Sequence, residues 1–254
     1  MSRSFLGQNF LIDEDVQKRI VDLFQPPADF GEIGPGEGAI TKLLSQKFSD
    51  FCVFEKDPRL AELHRSGSKN YRVREGDFAD WNFELQHAPV KNYSLIGNLP
   101  YEASSSILKA VVNHADQIVH FLFMLQKEVV ERISAKSKTS DFGSLSVFVQ
   151  GQYDLEALDV IGPEAFDPPP RVQSQLVRGS RKKTGVHPLS KDYSKFVQSA
   201  FASKRKTLKN NWKGHFPAGR LEEVMKRLTL GEKVRAEEID IDIWPQLFQF
   251  LRGE

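Results

Sequence analysis

Apolar positions along the first two thirds of the chain fall into two alternating kinds of segment. ADFGEIG (Ala28–Gly34), FCVFEKD (Phe51–Asp57), YRVREGD (Tyr71–Asp77), YSLIGNL (Tyr93–Leu99) and IVHFLFML (Ile118–Leu125) are apolar runs of buried-strand length. AITKLLSQKF, PRLAELHRSG and SSSILKAVVNHA carry helical spacing between them, the second opening on proline and closing on glycine. This alternation predicts an α/β protein with a doubly wound, mostly parallel sheet. After Gly143 the pattern changes. LSVFVQGQYDLEALDVIG and SQLVRGSR read as strands with PEAFDPPPR between them, which predicts an antiparallel edge pair. RKKTGVHPLS (Arg181–Ser190) has the glycine, proline and charge of a linker. Lys191–Glu254 lacks strand alternation and predicts a small helical domain, so the expected division is 1–186 and 187–254.

Composition narrows this frame. A chain of 254 residues can bury a substantial core, and its single cysteine, Cys52, excludes a disulfide framework and a cysteine-based zinc site. The six histidines show no metal spacing, so no metal is expected. MSRSFLGQNF has no apolar core of signal-peptide length, and no segment approaches the roughly 20 apolar residues of a membrane span. A soluble, cytoplasmic protein without a membrane partner is expected. The net charge of +1 hides an asymmetry: Arg171–Lys213 holds twelve Lys or Arg against one acidic residue, Asp192. Such a segment suits a polyanion such as nucleic acid. FASKRKTLKNNWK (Phe201–Lys213) reads as a helix that carries Lys204, Arg205, Lys206 and Lys209.

The candidate chemistry lies at the strand ends. EIGPGEGAIT places Gly34, Gly36 and Gly38 between a strand and a helix, where glycine permits a tight turn and close approach of a ligand to backbone N–H groups. The spacing is GxGxG, not the GxGxxG of dinucleotide sites. Glu55 ends the second strand, placed to accept from ribose hydroxyls; Asp77 ends the third and Asn98 the fourth. The plainer reading is that Glu55 and Asp77 cap the following helices. A carboxylate for ribose, a further polar group for a base and no GK[ST] motif favour a nucleoside cofactor without a phosphate chain, a description that S-adenosylmethionine fits.

GQNFLID, EIGPGEGAIT, FEKD, GD, GNLPY, FMLQKEVVERI, GSLSV, AFDPPPRVQS and AFASKRKTLKNN occur in this order from about Gly7 to Trp212. In these motifs the chain resembles the KsgA family of small-subunit rRNA adenine N6,N6-dimethyltransferases, kin of the Erm large-subunit enzymes. The resemblance implies a Rossmann-like class I methyltransferase domain with a seven-stranded sheet and a C-terminal helical RNA-binding domain. It implies cofactor contacts at Asn9, Leu11, Gly34 and Gly36, with Glu55 on the ribose, Asp77 on the adenine and Asn98 by the methyl donor. The donor is S-adenosylmethionine and its product S-adenosylhomocysteine. Asn98, Leu99, Pro100 and Tyr101 form the base-presenting turn, and Phe166 is a candidate for the opposite face of the base. Arg171, Lys204, Arg205, Lys206 and Lys209 are the candidate RNA contacts. The implied partner is ribosomal RNA within a pre-30S particle, bound by a monomer.

The sequence departs from the family pattern in three places. Only Arg3 precedes GQNFL as a basic residue, YEASSSIL replaces a more usual YNIS pattern, and GSLSV lacks an arginine before Leu145. Alternative readings are an Erm-like large-subunit enzyme, a DNA adenine methyltransferase (disfavoured by NLPY in place of a proline pair), and an RNA-binding assembly or transcription factor with dispensable catalysis.

Overall fold

The computed structural model describes residues 9–27, 29–67, 70–80, 92–184, 186–217 and 219–252; Arg3 and Gly7 lie outside them. In chain order the elements begin β1 (Phe10–Leu11), α1 (Glu14–Leu23), β2 (Phe30–Ile33), α2 (Ala39–Lys47), β3 (Phe51–Glu55), α3 (Pro58–Gly67) and β4 (Tyr71–Glu75). β5 (Tyr93–Asn98), α4 (Ser104–Asn113), β6 (Ile118–Gln126), α5 (Lys127–Ile133), α6 (Ser144–Gln150), β7 (Tyr153–Ile161), β8 (Phe166–Asp167) and β9 (Ser174–Arg181) follow. The chain closes with α7 (Lys191–Ala200), α8 (Leu208–Asn211), α9 (Arg220–Arg227) and α10 (Ile243–Arg252).

Seven strands form one sheet in the order β4-β3-β2-β5-β6-β9-β7. β4 to β6 are parallel neighbours, whereas β9 runs antiparallel to β6 from His120↔Ser180 to Gln126↔Ser174. β2 and β3 are buried at every position, as central strands covered on both faces must be. Leu44 of α2 packs with Val53, Ile96 and Leu122 in the core on one side of the sheet. Gly97 lets β5 lie close to β2, since a Cβ there would stand 2.5 Å from the Ile33 carbonyl oxygen. Helix starts are set locally. Asp13 Oδ1 accepts from the Asp15 and Val16 N–H groups at α1, and Asp57 Oδ1 accepts from the Arg59 N–H behind Pro58 at α3.

The chain divides into two compact units. The first comprises Met1–Val130 with Leu155–Arg181, the second Glu131–Asp154 with Lys182–Glu254. The later break falls near the expected boundary at 186, but the 131–154 segment groups with the C-terminal helices. The second unit has an aromatic core: the Phe196 ring lies 4.6 Å from Trp212 and 5.2 Å from Phe248, and the Trp212 indole N–H donates to Ser199 Oγ at 2.8 Å.

Two local expectations fail for identifiable reasons. LSVFVQ is helix α6, not the start of a strand. Ser146 Oγ accepts from the Gly143 N–H (2.9 Å) and donates to the Arg132 carbonyl (2.7 Å), so it fixes the first turn of a helix whose Val147, Phe148 and Val149 are all buried. A run this short and mainly apolar has too little periodicity to separate helix from strand, and packing decides. Phe201–Lys213 is not one helix either. α7 stops at Ala200, whose carbonyl accepts from Asn211 Nδ2 at 2.6 Å, and Thr207 caps a new short helix with its side chain. Lys204, Arg205 and Lys206 therefore sit on the intervening turn.

Candidate functional site

The parallel strands deliver their C-terminal ends to one edge of the sheet, where a cavity of about 510 Å³ opens. Its volume falls within the range of small-molecule sites. Of the residues predicted from sequence, Asn9, Leu11, Gly34, Gly36, Asn98, Leu99, Pro100 and Tyr101 line it. Glu55, Asp77 and Phe166 do not line this cavity.

The glycine loop between β2 and α2 turns through left-handed backbone at Gly34 (φ +65°), Gly36 (φ +57°) and Gly38 (φ +86°), a path that side-chain-bearing residues rarely take. Its anchors are buried. Gly34 N–H donates to the Phe54 carbonyl at 2.9 Å, and Gly36 N–H to Glu55 Oε2 at 3.1 Å. The other oxygen of Glu55 accepts from the Asp57 N–H at 2.9 Å. Glu55 is only 1% exposed; burial raises its pKa, and the Asp57 and Gly36 N–H groups oppose that shift by favouring the carboxylate. Asp77 caps the turn after β4 through Ala79 N–H (2.9 Å) and pairs with Lys56 Nζ (2.7 Å), which holds its carboxyl below the usual range. Asp77 thus makes the capping contact of the plainer reading, whereas Glu55 ties the glycine loop to the end of β3 and leaves the cap of α3 to Asp57.

At the end of β5, the Leu99 N–H donates to the Met124 carbonyl (3.1 Å) and the Pro100 carbonyl accepts from Ala103 N–H (3.0 Å), so the turn is pinned on both sides of its proline. Asn98 Nδ2 makes a long bond to the Asn9 carbonyl, 3.4 Å. The Tyr101 hydroxyl lies 2.8 Å from Ser174 Oγ, which fixes the half-buried ring at the cavity wall.

Phe166 corrects the sequence reading. Leu11 pairs with Phe166 where β1 and β8 form a two-stranded ladder, and the ring is 3% exposed within the core. In this structure the ring packs in the core and does not line the cavity. Phe10, its neighbour in the same ladder, lines the cavity instead and would meet a Cβ at Gly36 at 3.3 Å. Alternation along β1 turns Leu11 into the core, where it reaches the cavity only from its buried side, and Phe10 toward the cavity.

Sequence reasoning missed two buried groups. Glu32, on β2, lines the cavity at 1% exposure; burial pushes its carboxyl up to about 8 against the hydrogen bond donated by Thr41 Oγ1 (2.7 Å), so it is mostly neutral at pH 7. Its position two residues before the first loop glycine was the available signal. His64, on α3, bonds the loop from below, and nothing in the sequence marked it out.

Among the RNA candidates, Arg171 is exposed in the first unit, and Lys204, Arg205 and Lys206 are exposed in the second. Lys209 is half-buried and pairs with Glu222 at 2.9 Å. Among the described residues, no helix is long and apolar enough to cross a membrane.

A family model described as ribosomal RNA adenine dimethylase matches residues 1–252. A Mycoplasmopsis pulmonis protein named ribosomal RNA small subunit methyltransferase A is 33% identical over 97% of this chain and 97% of its own length. A Chlorobium phaeobacteroides protein of the same name is 36% identical over 97% and 90%. In structure, the chain resembles the 23S rRNA methyltransferase ErmE, with a TM-score of 0.65 and 25% identity over 96% of this chain and all of the other. It shares the fold of a Plasmodium falciparum dimethyladenosine transferase, with a TM-score of 0.75 and 22% identity over 94% of this chain and 95% of the other. With a glycine loop, strand-end carboxylates and a GNLPY turn on one sheet edge, and relatives matched along nearly the whole chain, the protein belongs to the ribosomal RNA adenine dimethylase family.

Proposed function

We propose that this protein transfers methyl groups from S-adenosylmethionine to N6 of adenosines in small-subunit ribosomal RNA, dimethylating two neighbouring adenosines near the 3′ end within an assembling pre-30S particle. The carrying observation is that the Asn98–Tyr101 turn and the glycine loop wall one cavity. The small-subunit relatives at 33–36% identity favour that RNA over the large-subunit substrate. The protein works as a monomer in the cytoplasm.

The residues present suit the cofactor. The cavity is large enough, two loop glycines, Gly34 and Gly36, line it, and the acidic groups Glu55 and Asp77 at the adjoining strand ends suit a cationic nucleoside with ribose and amino groups to bond. Glu55 would hold the ribose and Asp77 the adenine, while Asn9, Leu11, Gly34 and Gly36 enclose the remainder. When bound, S-adenosylmethionine supplies an electrophilic methyl group on a positively charged sulfur.

The protein's task is to present a poor nucleophile, because the N6 lone pair is delocalised into the adenine ring. With its amide nitrogen turned to Asn9, Asn98 directs Oδ1 to accept one N6–H, and the Leu99 carbonyl accepts the other. These bonds draw the nitrogen toward tetrahedral geometry and strengthen as positive charge develops on it, which stabilises the transition state above the ground state. Pro100 holds the turn in shape and offers no competing N–H. Tyr101, tied by its hydroxyl to Ser174, offers its ring to the extruded base; such stacking is worth roughly 1–3 kcal/mol. The methylated nitrogen then loses its proton to water, so the pocket needs no general base.

The test is incubation of the protein with labelled S-adenosylmethionine and unmethylated small subunits, followed by nucleoside analysis by mass. N6,N6-dimethyladenosine that disappears with Asn98→Ala is the expected result. Transfer only to naked large-subunit RNA would make the enzyme Erm-like, and tight RNA binding without transfer to any RNA would leave a binding factor.

A further inference from the structure

We infer that His64 is a positioning residue for cofactor binding: it clamps the carbonyl of Gly36 and thereby sets the glycine loop against Glu55. The inference rests on the reading of this cavity as the S-adenosylmethionine site.

Gly36 stands at the apex of the loop in left-handed backbone and lines the cavity. Buried side chains hold its two backbone polar groups. Its N–H donates to Glu55 Oε2 (3.1 Å), and its carbonyl oxygen lies 2.9 Å from His64 Nε2. A carbonyl can only accept, so Nε2 carries the hydrogen. The other ring nitrogen, Nδ1, lies 3.0 Å from the Tyr71 hydroxyl, whose pKa burial raises and which therefore remains a donor. With Nε2 donating to the loop, Nδ1 accepts that hydrogen, which fixes both tautomer and ring orientation. A relay thus runs from Tyr71 on β4 through His64 on α3 to the loop carbonyl.

The ring has little room to move. His64 is 5% exposed, and a Cβ at Gly38 would approach its Cε1 to 3.2 Å. Glycines lose more backbone freedom on ordering than other residues, so a GxGxG loop needs fixing from outside. Glu55 fixes the N–H side and is also the group assigned to the ribose. His64 fixes the carbonyl side. Releasing that carbonyl would free the Gly36–Glu37 peptide to turn, and through the Gly36 torsions would loosen the Pro35–Gly36 peptide whose N–H orients Glu55, so the loss would appear in cofactor binding ahead of chemistry.

The experiment uses the full chain with His64→Leu, His64→Gln and Tyr71→Phe. It measures S-adenosylhomocysteine affinity by calorimetry, steady-state kinetics on small subunits and thermal unfolding without cofactor. His64→Leu keeps an apolar side chain without a donor, and is expected to weaken affinity about ten-fold and raise the KM for S-adenosylmethionine by the same factor, with kcat at saturating cofactor within about two-fold. His64→Gln retains an amide N–H donor for the Gly36 carbonyl and restores most of the affinity. Tyr71→Phe, which frees the tautomer but keeps the ring, falls between them. Wild-type affinity in His64→Leu overturns the inference, as does a loss that His64→Gln shares equally, which would mean packing alone. Should His64→Leu fail to fold, the ranking of wild type, His64→Gln and Tyr71→Phe still decides: unchanged affinity in Tyr71→Phe, with a large loss in His64→Gln, refutes the relay. A wild-type protein that binds no S-adenosylhomocysteine overturns the cofactor assignment itself, and this inference with it.

Discussion

The two compact units carry their functional residues in opposite ways. In the first, the groups around the cavity are buried and bonded several times over: Glu55 accepts from two backbone N–H groups, and Gly36 is held at both its N–H and its carbonyl. In the second, Lys204, Arg205 and Lys206 stand exposed on a turn between two helices. The difference follows from the ligands. A methyl donor must meet its acceptor within tenths of an ångström, and that placement needs supporting bonds behind every contact. A polyanion is attracted by charge acting over several ångströms, so long, mobile side chains on a turn serve as well as a rigid helix. Losing the predicted helix over Phe201–Lys213 therefore costs the RNA assignment little, whereas the burial of Phe166 places its ring away from the cavity.

The sharpest way to break this contrast is Asn98→Ala. Removing a bond that strengthens only in the transition state is expected to lower kcat by about 10²–10³, while S-adenosylhomocysteine affinity and RNA binding stay near wild type. A comparable loss of binding would show that Asn98 serves the ground state.

Buried polar groups in the second unit should govern stability in place of chemistry. His187 is 3% exposed, with Nδ1 2.8 Å from the Tyr193 hydroxyl, and burial together with Lys182 lowers its pKa to about 4. An unfolded histidine titrates near 6.5, so between about pH 6.5 and 4 the unfolded chain takes up a proton that the folded chain refuses. Stability should fall by about 3 kcal/mol across that window as pH drops, and then level off. Urea unfolding at a series of pH values reads this slope. His187→Leu should be less stable near neutrality and should lose the slope.

Replacing Lys204, Arg205 and Lys206 together by alanine should cost RNA affinity without touching cofactor binding. Three lost phosphate contacts would reduce the slope of log K against log salt by about 2 to 3, and affinity would fall roughly thirty-fold near physiological salt. An unchanged slope would place the RNA surface elsewhere. The smallest effect is expected at Lys209, whose charge is already engaged by Glu222. Lys209→Ala should weaken RNA binding less than about two-fold, and less than Lys206→Ala, in the same titration. A larger loss would mean that the ion pair opens when RNA binds.

The strand–helix order of the first unit, the glycine loop and the polar residues at successive strand ends were all legible from the order of residues. These features are local. Periodicity marks a buried strand, and only glycine follows left-handed backbone at Gly34, Gly36 and Gly38 without strain. Tertiary structure alone decided whether LSVFVQ was helix or strand, because a short, mainly apolar run suits both and is settled by what packs on it. It alone turned Phe10 toward the cavity and Phe166 into the core, since the register Leu11↔Phe166 joins residues 155 positions apart. It alone brought His64 and Tyr71 beneath a glycine about thirty residues earlier in the chain. A buried hydrogen bond leaves no periodic trace in sequence: it needs two groups of the right kind at one point in space, and the fold supplies that point.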